Sequence, residues 1–222
     1  MNKDKLDGLI RGGSWRVDDG SEFACRIEDA GEVTLASGRV CIGDPYMIDG
    51  EEHLIERALE PGRYRVRLCI ADDGAGNVRV AGASLVVGAG EVVSWEPAVY
   101  EGMEPLDEDE MDEDDDGEDE AYGYGVDLAC ACIAPVEVID AMGELDESAQ
   151  DAWSDLLSES VEAAERDGQM YCEVSASGGS LIMFPSGWGD GFYFNWWGVD
   201  ADGRAVVLLT AFDVLEEMTR VE

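Results

Sequence analysis

Arg63-Tyr64-Arg65-Val66-Arg67-Leu68-Cys69-Ile70 alternates residue by residue between a charged series and an apolar one. A period of two puts Arg63, Arg65 and Arg67 on one face of a β-strand, with Tyr64, Val66, Leu68 and Ile70 on the other. Asp72 to Asn77 follows as a loop rich in glycine and aspartate, and Val78 to Val87 resumes an apolar run. The two runs read as a hairpin, which places Arg79 across from Cys69 on the arginine face.

The same grammar extends outward. Upstream, Glu22 to Ile27, Glu32 to Leu35 and Arg39 to Ile42 are short β-compatible runs. Asp29-Ala30-Gly31 and Ser37-Gly38 separate them, and Asp44-Pro45 ends the third. Glu52 to Leu59 predicts one or two helical turns, stopped by Pro61-Gly62. Glu91 to Trp95 is a further strand, ended by Pro97. Downstream, Trp153, Leu156, Leu157, Val161 and Ala164 recur at helical spacing. Ser148 is the candidate N-cap with Asp146 as alternative, and Arg166 and Gly168 mark the end. Met170 to Ser175, Ser180 to Phe184, Gly191 to Gly198 and Ala205 to Phe212 return to strand, the last two joined by a turn at Asp200-Ala201-Asp202-Gly203. The fold class expected is α+β and β-dominated: antiparallel sheets with one packed amphipathic helix at about 148–167.

The net charge is −38, with 52 acids against 14 bases. Thirteen of the acids and no base fall between Glu104 and Glu120, too dense a charge to pack in a core. The expected organisation is therefore an N-terminal β-rich part (1–103), an acidic disordered insert (104–121) and a C-terminal β part with the helix (122–222). Without that run 39 acids still face 14 bases, so the folded part is acidic as well. Such a field repels nucleic acid and anionic membrane and attracts basic proteins and cations. Only Lys3 and Lys5 are lysines, so a compositional or high-salt origin of the acidity stands beside a dedicated basic partner. No apolar run reaches the ~18 residues of a membrane span, and Met1 to Arg11 has no apolar signal core. A cytoplasmic location is expected.

Most of the six cysteines lie in apolar runs, as in Val40-Cys41-Ile42 and Leu68-Cys69-Ile70, where a thiol packs as a small hydrophobe. Cys130 and Cys132 would share one face of a strand. His53 is the only histidine, so neither a zinc site nor a Ser-His-Asp triad is expected, and no metal or cofactor is assigned. Asp112 to Gly117 fits the first half of a calcium loop, but Gly123 occupies the twelfth position, where a bidentate glutamate belongs.

Several blocks, in order, resemble a bacterial family called domain of unknown function 4241. They are Ser37-Gly38-Arg39-Val40 with Asp44-Pro45, Pro61-Gly62-Arg63-Tyr64, Trp95-Glu96-Pro97-Ala98 and Tyr124-Gly125-Val126-Asp127. Ser186-Gly187-Trp188-Gly189-Asp190-Gly191-Phe192-Tyr193 is the most specific, and Trp197-Gly198-Val199-Asp200-Ala201-Asp202-Gly203 continues it. The resemblance spans about 35–215, which implies one continuous domain, and it brings no activity. Leu128-Ala129-Cys130-Ala131-Cys132 departs from the family's glycine-rich pattern after Asp127.

Two constellations could act. In Ser186 to Tyr193, Trp188 could be a ligand platform and Asp190 an acceptor or base, with Tyr193, Asp44 or Asp127 completing a pocket. Alternatively the loop is a tight hairpin whose Asp190 bonds its own turn amides. Arg63, Arg65, Arg67 and Arg79 could form an anion or carboxylate site, or pair with the protein's own acids. The expected function is a non-catalytic, acidic cytoplasmic interaction module, immunity-protein-like or nucleic-acid-mimic-like, that binds a basic protein. The alternative is a small-molecule or carbohydrate-binding domain, or an acid-base enzyme, built on the Ser186–Tyr193 loop.

Overall fold

A computed structural model describes residues 1–48, 53–104 and 121–221. The chain opens with α1 (Lys3–Arg11), β1 (Gly13–Arg16), β2 (Glu22–Leu35), β3 (Val40–Gly43), β4 (Gly62–Asp72), β5 (Val78–Val86) and β6 (Ser94–Pro97). After the acidic run come β7 (Gly123–Val126), β8 (Cys130–Pro135), α2 (Val136–Gly143), α3 (Glu147–Arg166), β9 (Cys172–Ala176) and β10 (Gly179–Pro185). The last elements are β11 (Gly191–Val199), β12 (Ala205–Ala211), a 3-10 turn at Asp213–Leu215 and β13 (Thr219–Arg220). The fold is α+β and β-dominated, as the alternation predicts. The expected character of the acidic insert and the calcium-like stretch concern residues that, from 105 to 120, lie outside the described ones.

All pairings are antiparallel. The larger sheet runs β13-β1-β2-β4-β5-β12-β11-β6, with β7 also on β11; the smaller runs β3-β8-β10-β9. Both sheets draw strands from either side of the acidic run: β5 pairs with β12, and β3 with β8. On β4, Val66, Leu68 and Ile70 are fully buried. Their face looks toward the smaller sheet, since a Cβ on Gly31, opposite Val66, would lie 3.6 Å from Ile182. The other face, at Cys69 and Gly82, is covered by Gly8 and Leu9 of α1. A second apolar cluster, with Leu157, Ile139, Leu181 and Met183 buried, packs α2 and α3 onto the smaller sheet. The layers are thus α1, large sheet, small sheet, α2–α3.

Four local expectations are corrected. Asp29-Ala30-Gly31 is not a turn. It is a bulge inside one 14-residue strand, β2, whose register against β4 shifts between Asp29 and Gly31. Ala30 is 1 % exposed, so burial keeps the chain in the sheet where the local residues favour reversal. Of the expected helical turns at 52–59, the described residues instead run extended beside β3. Ile55 donates its amide to the Val40 carbonyl at 3.0 Å and is itself fully buried. The strand expected at 91–95 lies at 94–97. Pro97 is accepted there because β6 is an edge strand, where a missing amide breaks no ladder.

The fourth correction is the helix count: the described residues form three α-helices rather than one. α1 carries Asn2 as N-cap, accepting from the Lys5 amide at 3.1 Å, and buries Leu6 and Leu9. α2 starts directly after Pro135, which lies outside any sequence-visible cap pattern. The expected helix is α3, capped by Asp146 rather than Ser148: the Asp146 carboxylate accepts from the Ala149 amide at 3.0 Å.

Candidate functional site

The Ser186–Tyr193 loop joins β10 to β11, and its polar groups are consumed in building it. Ser186 is fully buried. Its hydroxyl donates to the Gly189 carbonyl at 2.8 Å, and its amide to the Ala129 carbonyl at 3.1 Å. The Tyr193 hydroxyl lies 3.0 Å from the Ser186 carbonyl and 2.8 Å from that of Gly189, sharing one proton between them. Burial, then the nearby Asp213 charge, pushes the Tyr193 phenol up to about 12, so it serves as a donor and not a base. Gly187 has φ +58, and a Cβ there would fall 2.8 Å from that of Phe212, so the tight turn admits no side chain.

Asp190 bonds an amide, though not one of its own turn: Oδ1 accepts from the Ala129 N–H at 2.9 Å. Asp44 is 1 % exposed and lies just beyond β3. Its Oδ1 accepts from the Tyr46 amide at 2.9 Å and its Oδ2 from the Asp127 amide at 3.1 Å. The Asp127 side chain itself is exposed. Asp44, Asp127, Ser186 and Asp190 therefore do converge, on the segment 127–129. They meet through backbone hydrogen bonds rather than around a pocket.

Trp188 is the exception. It is 54 % exposed, with the Arg79 guanidinium 5.3 Å from its ring centroid. Its indole borders an open cleft of about 600 Å³ between the turn at 17–23, the loop after β4 and the 213–218 segment. Val17, Phe23, Val214 and Met218 give it apolar walls, while Asp19, Asp73, Asp213, Glu216 and Glu217 give it five carboxylates. No lysine, arginine or histidine is among its lining residues. Burial, then the neighbouring Glu216 charge, pushes Asp213 up to about 6. These acids escaped the sequence reading because three chain-distant segments bring them together. The one local signal is Asp213, set between Phe212 and Val214 in an otherwise apolar run.

The arginines do not form one patch. Arg63 pairs with Glu32 at 3.1 Å and Arg65 with Asp29 at 3.5 Å, both with the protein's own acids. Arg79 stands opposite Ala71, not Cys69, because the hairpin loop closes between Asp72 and Val78, which pair directly, and the register runs on from there. It stacks on Trp188, while Arg67 lines a different cavity. No disulfide joins the cysteines among the described residues, and Cys41, Cys69 and Cys132 are at most 1 % exposed. Burial raises the Cys130 and Cys172 thiols to about 11, which keeps them protonated. Among the described residues no helix is long and apolar enough to cross a membrane.

A family model described as "Protein of unknown function (DUF4241)" matches residues 33–210. The chain belongs to that family. No curated protein and no solved structure matches it. The DUF4241 span contains the Ser186–Tyr193 loop, Asp44, Asp127 and the arginine strand. It leaves out both outer walls of the cleft, Val17 to Phe23 and Asp213 to Met218.

Proposed function

We propose that this DUF4241 protein is an acidic interaction module whose Trp188 cleft receives a basic segment of a partner protein. One observation carries this reading. Five carboxylates and an exposed indole surround one cleft, with no base among the residues that line it. The raised pKa of Asp213 shows that negative charge is already costly there. A guest lysine or arginine would pair with the ionised carboxyl and offset the cost of its burial, and its stem would lie on Val17, Val214 and Met218. The field of a chain carrying −38 would speed such an encounter and make it sensitive to salt. An immunity-like protein facing a basic toxin and a mimic facing a nucleic-acid-binding protein would both use this chemistry in the cytoplasm.

The test is a low-salt pull-down from native lysate. The baits are the wild type, a form lacking Glu104–Glu120, and the exposed double variant Glu216→Lys/Glu217→Lys. The expected result is one basic protein held by the first two and lost from the third. If charge reversal at the cleft leaves retention unchanged, or if only the acidic run retains protein, the cleft is not the recognition site.

A further inference from the structure

The arginine strand contains an uneven ladder. In the β2–β4 register Glu32 faces Arg65, and Asp29 faces Arg67 across the bulge. The ion pairs nevertheless run diagonally: Arg63 takes Glu32, and Arg65 takes Asp29. The next residue on that diagonal is Ile27, which faces Cys69 and carries no charge. The Arg67 carbonyl accepts from the Ser84 hydroxyl at 3.4 Å, but its guanidinium is left with no hydrogen bond, ion pair or ring contact among the described residues, in a chain where acids outnumber bases 52 to 14.

Arg67 is half-buried and lines an open cavity of about 500 Å³ under the end of α1. Arg11 lies in the same cavity. Its Nη2 lies 3.4 Å from the Glu91 carboxylate and the Val92 carbonyl and its Nη1 3.9 Å from the Asp7 carboxylate, all long contacts, and Glu91 is 78 % exposed, so that partner can yield. Ile10, Val86, Val206 and Val207 give the cavity apolar walls, and Ser84 and Glu91 are its other polar side chains. Two guanidinium groups, one unpaired and one held only by long contacts, thus open onto a trough with an apolar wall.

We propose that this cavity binds an organic anion with an apolar body and a carboxylate or phosphate head, the head held by Arg67 and Arg11. A guanidinium fork matches either head, and the valines cover the body. This site is distinct from the Trp188 cleft and takes ligands of opposite charge.

Octanoate and octyl phosphate are the probes, titrated calorimetrically into the full-length protein. At least one is expected to bind with unit stoichiometry, and which one identifies the head group. Arg67→Gln should weaken that binding at least about tenfold, the loss of a charged hydrogen-bond pair. Arg67→Lys, which keeps the charge but not the fork, should fall between. Arg63→Gln removes the same charge from the same strand and should leave binding unchanged. Melting temperatures without ligand confirm that each variant is folded. Binding of neither probe overturns the proposal, as does equal binding by the wild type and Arg67→Gln.

Discussion

The Asp190 carboxylate accepts the Ala129 amide at 2.9 Å, and Ala129, with φ +53, is the non-glycine residue that stands in left-handed backbone among those described. The bond holds a strained link between β7 and β8 against the loop that precedes β11. Asp190→Ala should therefore lower stability by about 0.5–1.5 kcal/mol, measured by urea unfolding. Ala129→Gly should leave stability unchanged or raise it by up to about 1 kcal/mol, while Ala129→Val, β-branched at positive φ, should lower it.

Asp44 has the larger structural role, because it joins the two sheets from a buried position. Asp44→Ala would leave the amides of Tyr46 and Asp127 without their acceptor. A loss of about 2–4 kcal/mol is expected in the same unfolding experiment. Asp44→Asn keeps one acceptor oxygen and should cost less. Equal stability of wild type and Asp44→Ala would mean that water replaces the carboxylate.

Gly8 gives a test in which helix propensity and packing oppose each other. Alanine is favoured over glycine inside a helix by about 1 kcal/mol. A Cβ at Gly8 would, however, lie 2.2 Å from the Trp15 ring, and such overpacking costs about 1–3 kcal/mol. Gly8→Ala should destabilise on balance, and Trp15→Phe in that background should recover part of the loss, as a double-mutant cycle would show.

Asp213 makes stability depend on pH. Its folded pKa is raised to about 6 from an ordinary 3.8, so between those values the folded state holds more protons than the unfolded one. Its contribution therefore falls as pH rises from about 4 to about 6. Asp213→Asn should flatten that slope relative to wild type in unfolding curves taken across the window. An unchanged slope would show that the carboxyl is solvated in both states.

The strands were legible where alternation was clean, as along β4, and where turn residues were real turns, as at Asp200 to Gly203. Asp200 there accepts the amides of Asp202 and Arg204. The bulge at Asp29 to Gly31 was not legible, because a bulge and a turn use the same residue types and only burial of Ala30 separates them. α1 was missed because a nine-residue helix with a glycine in its middle carries little periodicity; it is held by Leu6 and Leu9 against a sheet formed later in the chain. Trp188 stood out from its glycine context, and the structure leaves it exposed. The carboxylates beside it were illegible, since Asp19, Asp73 and Asp213 are ordinary acids until the fold gathers them.

β6 and β7 both pair with the same edge of β11, end to end: Pro97 faces Trp196 and Gly123 faces Phe194. The Tyr100 amide closes the neck by donating to the Ala121 carbonyl at 2.7 Å. The acidic run thus leaves and re-enters the sheet at one spot, and loop closure depends only weakly on the length in between. Since each sheet interleaves strands from both sides, a single cut in the run would yield one fragment with β1, β2, β4, β5 and β6 of the larger sheet and only β3 of the smaller, and another with the rest of both. Neither piece could bury its apolar faces alone, so the two should stay together and reassemble as a split protein.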